Sequence, residues 1–271
     1  MRDASALKSW VIRQIAEFVA VAEVQAEAGT QKNAGEVLSF NLIAGDASPR
    51  KYYRAVFSAT SGSPKRSFIA VDAPHYEKNP EFLHMRQLLE QAHIRVPALI
   101  AADVEAGFLL LEDLGDDVLL PILSGHAVGA WYAMALNTLS NLAAISVATS
   151  GLVHYDAAKL QTELNLFRDW FVPELLGLVW TEEFDEVFAV FSQCLIANAV
   201  EQPQVVVHRD FHSRNLMVVR NKELAVIDFQ DAVTGPITYD PVSLLKDCYV
   251  SWPRQRQIGW LLDYKGLLER E

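Results

Sequence analysis

The residues best placed to do chemistry are Asp210, Asn215 and Asp228. The first two lie in Val205-Val206-Val207-His208-Arg209-Asp210-Phe211-His212-Ser213-Arg214-Asn215-Leu216-Met217, and the third lies in Val226-Ile227-Asp228-Phe229-Gln230. Singly, each is the sort of polar residue that forms a turn after an apolar run. Together they are specific. His-Arg-Asp, four residues, Asn, two apolar residues and a later Asp-aromatic pair supply a carboxylate that can orient a hydroxyl and accept its proton. The amide and the second carboxylate are hard oxygen ligands suited to a divalent cation. Phosphoryl transfer needs this set: a positioned base and oxygen ligands for the Mg²⁺ on nucleotide phosphates.

Such a set has to be positioned by regular elements. Residues 5–24 read as an amphipathic helix, with Leu7, Val11, Ile15, Phe18 and Ala22 at helical spacing. Residues 38–44, 52–58 and 67–71 read as strands of antiparallel hairpins, separated by Gly45-Asp46-Ala47-Ser48-Pro49 and Ser61-Gly62-Ser63-Pro64. A helix follows over 80–92, with Asn79 as its N-cap and Pro80 at its first position. A buried strand over 107–111 runs into Glu112-Asp113-Leu114-Gly115-Asp116-Asp117, read as the boundary between a β-rich domain, 1–114, and a helical domain, 115–271. Beyond it, helices are expected over 126–149, over 157–180 behind Asp156 and broken at Pro173, and over 182–200. Short strands return at 204–207, 216–219 and 224–227, the last two forming a hairpin that folds Asp228 back toward the loop carrying Asp210.

Composition narrows the function. Of 271 residues, 51% are hydrophobic and 21% charged, which excludes wholesale disorder. The formal charge of -11 argues against a nucleic-acid partner. Two isolated cysteines, Cys194 and Cys248, make neither a metal cluster nor a disulfide framework and suit a reducing cytoplasm. No signal peptide is read at the start. Val118 to Tyr155 lacks Asp, Glu, Lys and Arg, yet its Pro, Gly, Asn and Ser residues argue for a buried helix and no membrane span.

Over nearly its whole length the sequence resembles the protein-kinase-like fold in its aminoglycoside phosphotransferase/choline kinase branch. The resemblance implies an α+β, two-lobed fold with a β-rich amino-terminal lobe and a mainly helical carboxy-terminal lobe, and ATP and Mg²⁺ as cofactors. It makes Asp210 the catalytic aspartate and Asn215 and Asp228 metal ligands. His208, His212 and Asp240 support the catalytic loop, His212 by bracing it through hydrogen bonds. Gly45, Asp46, Ala47 and Ser48 become the turn over the phosphates, and Glu112 and Leu114 belong to a hinge whose backbone reads adenine. Gly45 to Ser48, Asp72-Ala73-Pro74, Gln230-Asp231-Ala232, Gly235-Pro236, Tyr239-Asp240 and Trp252-Pro253 are similar to bacterial anomeric sugar kinases, which phosphorylate the 1-hydroxyl of N-acetylmuramate and N-acetylglucosamine in cell-wall recycling. The partner so implied is a small sugar or alcohol. Alternatives are an aminoglycoside, choline or other alcohol kinase of the same family, or a nucleotide-binding pseudokinase acting as an interaction module.

Two departures stand out. The strand Phe68-Ile69-Ala70-Val71 leads into Asp72 with no lysine for the α- and β-phosphates, so the cation is expected from Arg54, Arg50 or Lys51, with Asp72 serving the metal or the fold. Only 43 residues follow Asp228, fewer than in the sugar kinases it resembles, which leaves the far wall of the substrate pocket expected to be missing. Trp170, Phe171, Trp180 and Trp252 are read as core residues before sugar-stacking ones.

Overall fold

The computed structural model describes residues 4–24, 36–43, 49–58, 65–74, 77–123 and 127–270. Its chain divides into two compact units. The first comprises Met1–Arg86, Arg95–Asp117 and Val218–Gln230, the second Gln87–Ile94, Val118–Met217 and Asp231–Glu271. The division is thus not a single boundary: the segment carrying Asp228 groups with the first unit, whereas Asp210 and Asn215 belong to the second.

The first unit is built on five antiparallel strands: β1 (Glu36–Leu42), β2 (Lys51–Ser58), β3 (Arg66–Asp72), β4 (Leu99–Asp103) and β5 (Phe108–Glu112), in the order β1-β2-β3-β5-β4. Alternation puts Ala55, Phe57, Phe68 and Ala70 on one face, where they pack with Leu7, Trp10, Val11 and Ile15 of helix α1 (Ala4–Val24). Burying two such apolar stripes against each other is what makes the helix and sheet one body. Strand β4 has no clear signal in sequence. Two of its five residues are alanines, and it forms because β5 offers an edge to pair with. Asn79, read as an N-cap, is instead the first residue of α2 (Asn79–Gln91). Its buried amide donates to the Ala73 carbonyl and accepts from Arg50.

In the second unit, after the single turn α3 (Leu119–Ile122), α4 (Val128–Ala143) buries Trp131, Tyr132, Ala135, Leu136 and Leu139 at helical spacing. No helix among the described residues is long and apolar enough to cross a membrane. The helix read over 126–149 stops early. Ser146 is extended, at ψ 114°, and a separate helical turn, α5 (Val147–Ser150), follows it. Asp156 caps α6 (Ala157–Leu166) by accepting the Lys159 N–H at 2.9 Å, and Thr181 caps α7 (Glu182–Glu201). Between them Phe167–Leu175 forms a π-helical segment with Pro173 inside it. The wider i→i+5 spacing, as in Leu176 N–H to Phe171 O, carries the chain past a residue that cannot donate.

Strand β6 (Gln204–Val207) pairs antiparallel with β9 (Val233–Pro236), an unforeseen strand whose Thr-Gly-Pro reads as a turn. A Cβ on Gly235 would meet Tyr155 and Val207 at 3.4 Å, which accounts for glycine there. Strands β7 (Leu216–Val219) and β8 (Glu223–Val226) pair through a turn with Asn221 at φ 72°. The helices α8 (Tyr239–Leu245) and α9 (Arg254–Leu268) also lacked a sequence signal. In α9 only Gln257, Trp260 and Tyr264 turn inward, and Gly259 and Gly266 dilute the pattern. Trp260 stacks on Tyr132 at 4.0 Å, and Trp252 donates its indole N–H to the Tyr132 hydroxyl. Trp252 is half-buried in this aromatic cluster, and Trp180 is half-buried too. Trp170 and Phe171 are exposed, at 64% and 42%.

Trp260→Ala is expected to destabilise the chain by about 3–5 kcal/mol in urea unfolding, the usual cost of deleting a large buried aromatic. A loss below about 1 kcal/mol would mean that α9 does not pack on α4 through this stack.

Candidate active site

The stretch from His208 to Asn215 is wound tightly on itself. The Asp210 carbonyl accepts from the His212 N–H at 3.0 Å and from the Asn215 amide Nδ2 at 3.0 Å, and the Asn215 N–H donates to His212 O at 2.9 Å. His208 Nδ1 accepts from the Asp210 N–H at 3.3 Å. These bonds bring Asp210 and Asn215 together and leave the Asp210 side chain exposed at the surface of its unit. His212 contributes through its backbone and through ring contact with Tyr249 at 5.6 Å, while its Nδ1 is buried without a hydrogen-bond partner among the described residues.

A loop leaving a strand has backbone donors with no ladder to receive them. Two buried carboxylates receive them here. Asp240, on α8, accepts from the N–H groups of His208 at 2.7 Å and Arg209 at 3.0 Å. Asp247 accepts from the Ser213 N–H at 2.9 Å and its hydroxyl at 2.5 Å. Asp247 was missed in sequence, where it stands in no motif. Burial pushes the Asp240 carboxyl up to about 7; the two N–H donors pull the other way, and the charge of Asp210 pushes up again.

Asp228 follows β8 in the first unit and sits at φ 65°, in the left-handed region that non-glycine residues rarely enter. It is held there from both sides. The Val226 N–H donates to Arg95 O at 2.8 Å, and the buried Phe229 stacks on Phe82 of α2 at 4.8 Å. Gln230 Nε2 donates to Asp228 Oδ1 at 2.8 Å. Arg209, next to Asp210, has φ 79°. The left-handed backbone at Asp228, and at Arg209 beside Asp210, is a feature that no sequence motif displays.

The segment after β5 is braced by its own charges. Glu112 pairs with Arg95 at 2.5 Å and accepts from the Ala98 N–H at 3.1 Å, while its own N–H donates to Ala98 O. Burial pushes the Glu112 and Asp113 carboxyls up. Arg95 and the Ala98 N–H outweigh this at Glu112, and the Gly115 N–H and Arg54 do so at Asp113, so both lie below their ordinary values. Arg54 pairs with Asp113 at 2.7 Å and Asp116 at 2.8 Å, tying β2 to this segment. Arg50 is buried against Glu77 and Asn79, and Lys51 stands opposite Asp72 in the β2–β3 register. Leu114 and Glu112 line a cavity of about 550 Å³ together with Arg66, Ser67 and Arg95. Gly45, Asp46, Ala47 and Ser48 lie outside the described residues.

Comparison with known proteins gives the chain a family. A family model described as the phosphotransferase enzyme family matches residues 39–269. The chain is 40% identical over 233 residues to the N-acetylmuramate/N-acetylglucosamine kinase of Pseudomonas putida, covering 85% of this chain and 66% of that protein. It is 39% identical over 225 residues to the kinase of the same name from Pseudomonas aeruginosa, covering 82% and 64%. The chain thus spans just under two thirds of the length of these relatives. Among solved structures it is similar to ADP-bound aminoglycoside phosphotransferase APH(2'')-Ib, with TM-score 0.61 at 17% identity, covering 94% of this chain and 85% of that one. It is also similar to choline kinase LicA from Streptococcus pneumoniae, with TM-score 0.58 at 14% identity, covering 92% and 79%. These likenesses show the fold, an α+β architecture with an amino-terminal antiparallel sheet and a helical carboxy-terminal part.

The raised carboxyl of Asp240 has a pH consequence. A group that binds its proton more tightly in the folded than in the unfolded chain removes stability as pH rises from its unfolded value, 3.8, to its folded value, about 7. Asp240→Asn is expected to flatten that part of the urea-unfolding profile between pH 5 and 7. It should also cost about 1–3 kcal/mol, because an amide cannot accept both N–H groups. Equal pH slopes in parent and variant would contradict the assignment.

Proposed function

Because the chain belongs to the phosphotransferase enzyme family, we propose that it transfers the γ-phosphoryl group of ATP, with Mg²⁺, to the hydroxyl of a small molecule, and that the acceptor is the anomeric hydroxyl of an N-acetylated hexosamine such as N-acetylglucosamine or N-acetylmuramate. The observation that carries the reading is the wound 208–215 loop, which ties the Asp210 backbone to His208, His212 and Asn215 and leaves that carboxylate exposed. The names of the relatives at 39–40% identity support the acceptor.

In this reading Asp210 orients the attacking hydroxyl and takes its proton. Asn215, whose Nδ2 is committed to the Asp210 carbonyl, offers its amide oxygen to the metal, and Asp228 offers its carboxylate. An amide oxygen and a carboxylate are the hard donors that would hold Mg²⁺. When bound, the metal and nucleotide supply the phosphoryl group and neutralise its charge. Glu112 and Leu114 present backbone to the adenine, and Gly45 to Ser48 cover the phosphates. Arg54 acts on the cofactor through the 113–116 segment it holds in place. His208, His212 and Asp240 maintain the loop. The setting proposed is the cytoplasm, where ATP and a recycled sugar meet.

In-line transfer requires the accepting oxygen in hydrogen-bond reach of Asp210, so only one hydroxyl of a rigid ring can be productive. Free N-acetylglucosamine or N-acetylmuramate should be consumed with ATP, and their methyl glycosides should not. Asp210→Asn should lower turnover by about 10² to 10⁴ with nucleotide affinity unchanged. Equal turnover of the methyl glycosides would overturn the anomeric acceptor, and parental turnover in the folded variant would overturn Asp210 as base.

The metal role is tested separately by thermal unfolding. ATP with Mg²⁺ should raise the melting temperature above ATP with chelator, and Asp228→Ala should abolish the difference. A magnesium-independent shift of equal size in parent and variant would favour a pseudokinase module, the reading prompted by the absence of a lysine in β3.

A further inference from the structure

Arg209, the strained residue just before Asp210, is gripped at both ends. A left-handed conformation is sterically costly for an L-residue, so it persists only where the surroundings dictate it. The backbone end is fixed by Asp240, as described. The side-chain end reaches α6, where its Nη2 lies 2.5 Å from Glu163 Oε1. Its Cζ lies 5.4 Å from the centre of the Tyr155 ring, and the Tyr155 hydroxyl donates to the other Glu163 oxygen, Oε2. Tyr155 is itself buried and meets Tyr239 edge to face at 5.5 Å. Burial first, then the bond to Glu163, raises the Tyr155 phenol well above its ordinary value, so it remains a donor. All four residues belong to the second unit.

The chemistry of this cluster is that of a clamp. Glu163 neutralises a cation adjacent to Asp210 and holds it in one orientation, because two of its acceptor directions are taken by two different side chains. A guanidinium so occupied, and stacked on an aromatic face, is committed to the protein and not to a phosphate.

We propose that Glu163 and Tyr155 are positioning residues for the transfer step, holding Arg209 so that its strained backbone, and with it the adjoining Asp210 carboxylate, keeps one geometry before substrate arrives. The inference rests on the reading of Asp210 as the base. It separates holding the loop from binding the nucleotide, so turnover should depend on the clamp and nucleotide KM should not.

Glu163→Gln is expected to lower kcat by about tenfold to 10²-fold, the scale of a misplaced reacting group, with the KM for ATP within about twofold of the parent. Tyr155→Phe should give a smaller loss in the same direction. The Glu163→Gln/Arg209→Met double variant should lose no more than Arg209→Met alone, because both substitutions break one linkage. Parental kcat in Glu163→Gln, a loss confined to the KM for ATP, or additive losses in the double variant would each overturn the proposal. A second readout is independent of activity: rotation of the Arg209 guanidinium about its Nε–Cζ bond, followed by NMR, should be hindered in the parent and fast in Glu163→Gln. A parent that phosphorylates no acceptor would defeat the functional reading and leave this readout intact, whereas fast rotation in the parent would defeat the clamp itself.

Discussion

Backbone donors that leave a strand without entering another must find acceptors, and around residues 208–213 the acceptors are two buried carboxylates. Asp240 takes the N–H groups of His208 and Arg209, and Asp247 takes the N–H and hydroxyl of Ser213. Hydrogen bonds to a charged acceptor are about twice as strong as neutral ones, and an unsatisfied buried carboxylate is costly, so neither the loop nor the acids can relax alone. These bonds tie α8 and the residues just after it to the loop that leaves β6. The exposed Asp210 is the product of that constraint.

Much of the candidate site was legible because its residue types are those that phosphoryl transfer would need. Asp210, Asn215 and Asp228 stand at a spacing that ordinary turns do not explain, and the apolar runs around them mark β6, β7 and β8. What was not legible depends on long-range contacts. Asp247 looks like any surface aspartate until Ser213 is placed beside it. Glu163 lies on a helix with a plain amphipathic pattern, and only the fold brings it to Arg209. The same holds for β4 and β9, whose alanines and Thr-Gly-Pro carry weak strand propensity and which pair because an edge is available.

Charges in this chain serve placement more than attraction. Asp113, Asp116 and Glu112 could pass for an acidic surface patch, yet each is matched by Arg54 or Arg95, and the matching fixes the segment between Glu112 and Asp116. Arg50, buried against Glu77 and Asn79, does the same for the start of α2. Conversely, Trp170 and Phe171 are exposed in the second unit, although the sequence reads them as core residues. Their exposure shows that an apolar residue at helical spacing reports a face without naming what covers it.

The central claim is that the 208–213 loop is set by its buried acids before any ligand binds. Native-state hydrogen exchange on the ligand-free chain tests it most directly. The amides of His208, Arg209 and Ser213 should exchange only through global unfolding, with protection equal to that of core amides in α4, and ATP with Mg²⁺ should add little beyond its effect on overall stability. Rapid exchange of these three amides in the free chain, with protection appearing only when nucleotide and metal are added, would contradict it.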